Sequence, residues 1–433
     1  MNARSSHPLF NALAVFVLAV SCSAAGLPDM SWSAAGSDYQ KSFDLSKIPG
    51  SIVAHICSDK GLFLGSPHLA ILPDGAYIVM YDIFGKGRNE GTASYLCRSD
   101  DKGATWHYLA SVEGQAWASL FWHNGALYIF GTGHGATPKY GFSVRKSTDG
   151  GRTWTNPTDE TNGLIFKPVF ATCPMAVLEA NGRVYFHAEG GQQDFKARGW
   201  AHQNSFVLSA PADADFLDAA SWTRSNSVHI PDELAVLAHT GWLEGNLVLR
   251  KSDNEVFNIL RVHGVTDELA AMYEVSADGK TAMFNPKTGF IRFPGSCKKF
   301  YILWDEKSQL YYALSDWTLE RDRGRVKNCP HPVKAERTRN TLALSRSANL
   351  EDWEVFYVAL HTDDLEHGAF QYPSFVIDGD DIALVSRTSL FDGKAAADNQ
   401  HNANFVTFHR IKDFRTRKLS DAPLYGEGVI PAK

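Results

Sequence analysis

One octet occurs twice in this chain and limits what it can fold into. Ser99-Asp100-Asp101-Lys102-Gly103-Ala104-Thr105-Trp106 and Ser147-Thr148-Asp149-Gly150-Gly151-Arg152-Thr153-Trp154 both read S-x-D-x-G-x-T-W. The pattern encodes a tight turn. The Ser and Asp side chains accept from backbone amides, a Gly takes a positive φ, and Thr-Trp opens the next strand with an indole that packs back on the hairpin. Each copy follows a strand-like run, residues 95–98 and 142–146, and weaker relatives stand at Ser276-Ala277-Asp278-Gly279-Lys280-Thr281 and at 345–353. A turn that recurs at one place in a supersecondary unit predicts a repeat architecture.

The repeat is visible elsewhere. Six hairpin signals centre on Pro73-Asp74-Gly75, Asn124-Gly125, Asn181-Gly182, Ser252-Asp253-Asn254, Glu306-Lys307 and Asp378-Gly379, each flanked by apolar strand-like runs. Asn-Gly and Asp-Gly are strong hairpin formers. The spacing is roughly one four-stranded propeller blade each, about 40 to 50 residues plus loop insertions. No long amphipathic helical pattern interrupts it. The reading is therefore all-β: a single β-propeller of four-stranded blades, strands A to D, with the octets as C–D turns. The A–B turns share that face. Long B–C loops (131–140, 187–204, 315–339, 390–404) and the starts of the A strands share the opposite face around the axis. Residues 51–56 form a leftover strand, expected to close the ring against 405–410 and so remove an open edge.

Length and charge narrow the classes. The chain has 433 residues, 44% of them hydrophobic, with a net charge of −6, which argues against a nucleic-acid partner. Arg4, an apolar run over 9–20 and small residues over 21–25 predict a secretory signal at 1–25. Ala19-Val20-Ser21-Cys22 is a loose lipobox. The expectation is a secreted or periplasmic protein, or an outer-membrane lipoprotein through Cys22, with a linker at 26–50, the propeller at 51–415 and a tail at 416–433. No transmembrane segment is expected in the mature chain. Cys57, Cys97, Cys173, Cys297 and Cys329 are scattered without C-x-x-C spacing, so sulfur-held metal is not expected. No cofactor is implied, a structural calcium ion remains compatible, and the chain is expected to be a monomer.

Candidate chemistry lies on the loop face. Gly241-Trp242-Leu243-Glu244-Gly245-Asn246 enters the fourth A strand, Arg261 ends its B strand, and Arg339 precedes the fifth C strand. His367 and Gln371-Tyr372 enter the sixth A strand, and His401-Asn402 precede its C strand. His134 belongs to the second blade, and His187 with Arg198 to the third. Arginines grip a carboxylate in bidentate fashion, and a Tyr beside a Glu makes an activated nucleophile or an acid/base pair. Glu244, Tyr372, His134 and His187 are the catalytic candidates. Arg261, Arg339, Arg198, His367, Gln371, His401 and Asn402 are the binding candidates, with no metal ligand among them. Each has a structural alternative: cap, inter-blade ion pair or satisfied core histidine.

The octets resemble the Asp boxes of sialidase-like propellers. Arg261, Arg339 and the Glu244–Tyr372 pair resemble two of the three arginines and the Tyr–Glu nucleophile pair of sialidases. The remaining arginine should stand just before the first-blade proline, where this chain reads Gly65-Ser66-Pro67. That departure implies a clamp lacking one arm. A closer resemblance spans 51–415. Tyr81-Asp82-Ile83-Phe84-Gly85, the Glu244 stretch, Arg339-Asn340-Thr341-Leu342-Ala343-Leu344 and Phe405-Val406-Thr407-Phe408-His409-Arg410 are similar to a bacterial propeller family of polysaccharide utilisation. That family includes α-L-rhamnosidases acting on rhamnose–glucuronate and related ulvan lyases. The resemblance implies seven blades. It also implies a catalytic histidine on the face opposite the usual site, for which His55 is the candidate by position. The lyase positions fall near Trp117, His134, Thr172 and His187, where only the histidines fit. The function expected is a secreted enzyme hydrolysing a rhamnose–uronic acid linkage in a uronate-containing oligo- or polysaccharide. A polysaccharide lyase, an exo-sialidase and a non-catalytic glycan-binding propeller are the alternatives. The loop face, with more charged residues, is favoured over the His55 face.

Overall fold

A computed structural model describes residues 43–86, 93–133, 141–167, 171–190, 204–231, 233, 241–263, 268–327 and 335–422. Its strands form six antiparallel blades in chain order. The first is Leu62–Ile71, Tyr77–Gly85, Ala93–Ser99 and His107–Glu113. The second is Gln115–His123, Ala126–Gly133, Gly141–Ser147 and Leu164–Phe166. Leu178–Ala180, Arg183–Glu189, Ser205–Pro211 and Thr223–Arg224 make the third. Trp242–Arg250, Glu255–Val262, Leu269–Val275 and Ala282–Met283 make the fourth, with Phe290–Arg292 added to its C strand. The fifth holds Phe300–Asp305, Leu310–Asp316, Thr341–Ser347 and Glu354–His361. The sixth holds Ala369–Asp378, Asp381–Ser389 and Phe405–Ile411, and its outer strand is the N-terminal Ser51–His55.

Six blades, one per hairpin signal, replace the seven that the resemblance implied. The ring closes as expected: Ser51 pairs with Phe408 and His55 with Phe405. Apart from the helical residue Glu233, the helical elements among the described residues are three-residue 3₁₀ turns, and none of the helices there is long and apolar enough to cross a membrane. The signal at 1–25 with Cys22, most of the 26–50 linker and the end of the tail lie outside the described residues.

The octets fold as their chemistry requires. Ser99 Oγ accepts the Gly103 amide at 2.8 Å, and Asp101 accepts the Thr105 amide at 2.9 Å and its hydroxyl at 2.5 Å. Asp149 repeats this with Thr153 at 3.0 and 2.6 Å, and Ser147 Oγ accepts the Gly151 amide at 2.9 Å. Those hydrogen bonds, from Thr105 first, hold the Asp101 carboxyl down at about 2. The weaker relative ends on Trp353, whose indole N–H donates to Leu350 O at 2.8 Å.

Between the blades lie the cores. Six of the seven apolar clusters each join two neighbouring blades: Tyr81, Tyr95 and Phe408 join the first and sixth, and Phe130, Phe142 and Phe186 the second and third. Near the axis the inner strands are pinned by side chains of the adjoining blade. Leu69 N–H donates to Ser374 Oγ at 3.1 Å, Leu120 N–H to His68 Nδ1 at 3.1 Å, Met175 N–H to Ser119 Oγ at 2.9 Å and Ile302 N–H to Asn246 Oδ1 at 3.2 Å. These buried polar links fix the rotation of one blade against the next, and therefore where the axial side chains point.

Candidate active site

Four inner strands break register at one equivalent place: between Gly65 and His68, Ala116 and Ser119, Leu243 and Asn246, and Gln371 and Ser374. Each break is a bulge carrying one non-glycine residue at positive φ: Ser66 at 51°, Trp117 at 46°, Glu244 at 51° and Tyr372 at 50°. The conformation costs on the order of 1 kcal/mol each, and such strain gathers at functional sites. The bulges turn all four side chains into one cavity of about 390 Å³ on the loop face. Carboxylates of the preceding blade hold two bulges in place. Asp82 accepts the Trp117 amide at 2.8 Å, and Glu189 accepts the Glu244 amide at 2.7 Å.

Tyr372 and Glu244, on different blades, meet there. The phenol donates to one Glu244 oxygen at 3.0 Å, and Arg261 Nη1 donates to the other at 2.7 Å. Burial would raise the Glu244 carboxyl; the charge of Arg261 and the two hydrogen bonds outweigh it and hold it below its usual value. Burial first, and the charge of Glu244 second, push the Tyr372 phenol up, with Arg261, Arg339 and Arg387 opposing. The resting state is thus a carboxylate beside a neutral phenol, a base already in contact with the proton it would take.

Three guanidiniums surround this pair. Arg261 is fully engaged, with Nε on Cys297 O at 2.7 Å, Nη1 on Glu244 and Nη2 on His263 Nδ1 at 2.8 Å. Arg339 donates through Nε to Glu336 O at 3.0 Å and through Nη1 to Gln371 Oε1. Its second Nη has no partner among the described residues. Arg387 donates to His401 O at 2.7 Å, and its guanidinium lies 4.7 Å from the Phe84 ring and 4.9 Å from that of Tyr372. Arg387 comes within 3.7 Å of where a Gly65 side chain would begin. The sixth blade thereby brings a guanidinium to the place where the first blade lacks one. Among all lining residues, four arginines face three glutamates.

Of the sequence candidates, Glu244, Tyr372, Arg261, Arg339 and His401 line this cavity. Burial, then Arg387 and Arg339, push His401 well below its usual value, so its ring is neutral. Gln371 is buried and acts behind the wall, receiving Arg339 and donating to Gln400 O at 2.5 Å. Asn402 braces the same loop through Asp398 at 2.7 Å. His367 lies in a second, outer cavity of about 270 Å³ with Arg337, Glu366, Asp398, Asn399 and Gln400. His187 is fully buried behind Glu189, 3.6 Å away, and does not line the cavity. His134 and Arg198 lie outside the described residues.

His55 is not on the opposite face. Its strand runs antiparallel to Phe405–Ile411, and pairing with Phe405 sets it at the loop-face end of the outermost strand. There it is fully buried, stacked 4.5 Å from the Phe405 ring and 3.4 Å from Asp392, with its pKa lowered to about 4 by burial. No group of three or more His, Cys, Asp or Glu among the described residues is arranged to hold a metal ion.

Sequence reasoning missed Arg387, Glu189, His263 and Glu336, all cavity-lining. For Arg387 a signal existed. Arg261 pairs with Leu243, the residue before Glu244, and Arg387 pairs with Gln371, the residue before Tyr372. Aligning the blades on their A–B hairpins puts the two arginines at one position.

No protein-family model matches the chain, and no curated protein matches it. Solved structures do. The chain is similar to a Hadza microbial sialidase (13% identity, TM-score 0.54, over 84% of this chain and 68% of that one). It is also similar to a protein of unknown function from Dyadobacter fermentans (14% identity, TM-score 0.53, 84% and 100%). A third is an α-L-arabinanase of Penicillium chrysogenum complexed with arabinobiose (13% identity, TM-score 0.51, 84% and 98%). At these identities the likeness establishes the propeller fold.

Proposed function

We propose that this chain is a glycoside hydrolase that releases a carboxylate-bearing sugar from an oligo- or polysaccharide, with Tyr372 as nucleophile and Glu244 as its base. The observation that carries the reading is the 3.0 Å hydrogen bond between them in a cavity ringed by arginines. A neutral phenol is a weak nucleophile; a carboxylate in contact takes its proton as the bond to the anomeric carbon forms. A Tyr–Glu pair also suits an anionic sugar, because the attacking oxygen starts uncharged and does not repel a neighbouring carboxylate. Arg339 and Arg387 supply the planar donors that match that carboxylate. Arg261 keeps Glu244 ionised. The similarity to a sialidase and an arabinanase supports a glycan substrate, and the sequence resemblance supports a uronate, with rhamnose–uronate polysaccharide as the first polymer to try.

The test is product analysis. The protein is incubated with 4-methylumbelliferyl glycosides of N-acetylneuraminic acid and glucuronic acid and with rhamnose–glucuronate oligosaccharides. Free saturated sugar, lost in Tyr372→Phe, supports the reading. An unsaturated uronate product marks elimination and overturns it. Binding without product release returns the protein to a glycan-binding role.

A further inference from the structure

We propose that Glu336 is the acid/base that protonates the leaving oxygen and later deprotonates water; the proposal rests on the hydrolase reading above. Among the described residues, three glutamates line the cavity: Glu189, Glu244 and Glu336. Glu244 holds Tyr372 and Arg261 and is the base of that pair, and Glu189 accepts the Glu244 amide at 2.7 Å and so holds its bulge. Glu336 comes from a different blade and reaches the cavity beside His263.

The backbone of its short turn, Ala335–Arg337, is held by two cations. Buried Lys298 donates to Ala335 O at 2.9 Å, and Arg339 Nε donates to Glu336 O at 3.0 Å. The carboxylate is met on one side by His263, whose Nε2 lies 3.5 Å away. The tautomer follows from chemistry. Arg261 Nη2 lies 2.8 Å from His263 Nδ1, and an arginine can only donate. His263 therefore accepts at Nδ1 and carries its proton on Nε2, facing Glu336. The imidazole cannot take a second proton without losing Arg261, so His263 positions Glu336 and is not itself the acid. One residue on, Arg337 lines both this cavity and the second one with His367 and Gln400. Glu336 thus lines the charged cavity next in sequence to the residue that joins it to the second, and a sugar chain running from one cavity to the other would pass close to it.

The steps balance. Tyr372 Oη bonds the anomeric carbon and passes its proton to Glu244 while the glycosidic C–O bond breaks. The leaving oxygen takes the proton of the Glu336 carboxyl. Water then bonds the anomeric carbon, giving a proton to the Glu336 carboxylate, and the Tyr372 oxygen leaves and regains its proton from Glu244.

The test compares leaving groups in wild type, Glu336→Gln and Glu336→Asp. The substrates are whichever sugar of the panel is released, as its 4-methylumbelliferyl glycoside and as the same sugar linked to a second sugar. A general acid contributes about 10²- to 10⁴-fold, and only where the leaving group needs the proton. Glu336→Gln should slow the sugar-linked substrate on that scale while slowing glycosylation by the umbelliferyl glycoside far less. Added azide should restore turnover of the umbelliferyl glycoside as a glycosyl azide. Glu336→Asp, which keeps a carboxyl, should retain part of the sugar-linked activity and excludes a folding defect. Equal loss on both substrates, no loss on either, or no azide product overturns the role of Glu336 while leaving the hydrolase reading intact. A wild type that releases no sugar overturns both.

Discussion

Removing Arg387 separates a substrate clamp from a structural ion pair. Its guanidinium is held by His401 O and by the Phe84 and Tyr372 rings, so it is fixed before any ligand arrives. A hydrogen bond to a charged group is worth roughly 1.5–3 kcal/mol. Arg387→Ala should therefore weaken binding of the released anionic sugar by about 10- to 150-fold at 25 °C. The control is the methyl ester of the same sugar, which keeps the shape and removes the charge. Titration calorimetry on both ligands gives the difference directly, and the ester should lose little. If both ligands weaken equally, Arg387 shapes the wall and does not grip the carboxylate. If neither weakens, the assignment of a third guanidinium to the clamp is wrong.

Arg261→Ala should behave differently, because it leaves the largely enclosed Glu244 carboxylate, 12% exposed, without its 2.7 Å partner. Breaking such a pair costs about 3–5 kcal/mol of stability, read as a lower denaturation midpoint; an unchanged midpoint would make Arg261 dispensable to the fold. Asp101→Ala removes the Thr105 contacts on the face opposite the cavity. It should cost on the order of 1 kcal/mol, like loss of a helix cap, with catalytic parameters unchanged, and a large loss of activity would contradict that placement. Burial holds His68 and His409 down to about 3 and His55 to about 4. Below the unfolded value of about 6.5 the unfolded chain binds protons that the native state does not, so stability is full above that pH and falls as pH drops towards 4. Three such groups give a slope of roughly 4 kcal/mol per pH unit, and unfolding midpoints that stay flat from pH 6 to pH 4 would refute it.

The fold was legible because its signals are local. A turn of six to eight residues encodes its own hydrogen bonds, and Asp101 and Asp149 form the same set. Six hairpin turns gave six blades, and the seventh came from resemblance alone. Glu244 and Tyr372 were legible from their place at the starts of the fourth and sixth A strands, on the loop face, and from their resemblance to the sialidase Tyr–Glu pair. What escaped depends on register between distant segments. The third guanidinium was sought at position 66, but it comes from a strand more than three hundred residues later, beside Gly65. Glu336 and His263 meet across two blades, and neither has a local motif. His55 was placed on the wrong face because the direction of the closing strand decides which end its last residue reaches.

Mass spectrometry of a trapped intermediate tests the nucleophile most directly. A substrate fluorinated beside the anomeric carbon and carrying a good leaving group slows the second step more than the first, so the glycosyl–enzyme accumulates. The protein is digested after incubation, and the peptide containing Tyr372 is sequenced. The account requires the sugar's mass on Tyr372 in the wild type and its absence in Tyr372→Phe. Turnover of the unfluorinated substrate with the label on another residue, or with no label in a protein the inhibitor inactivates, would contradict it.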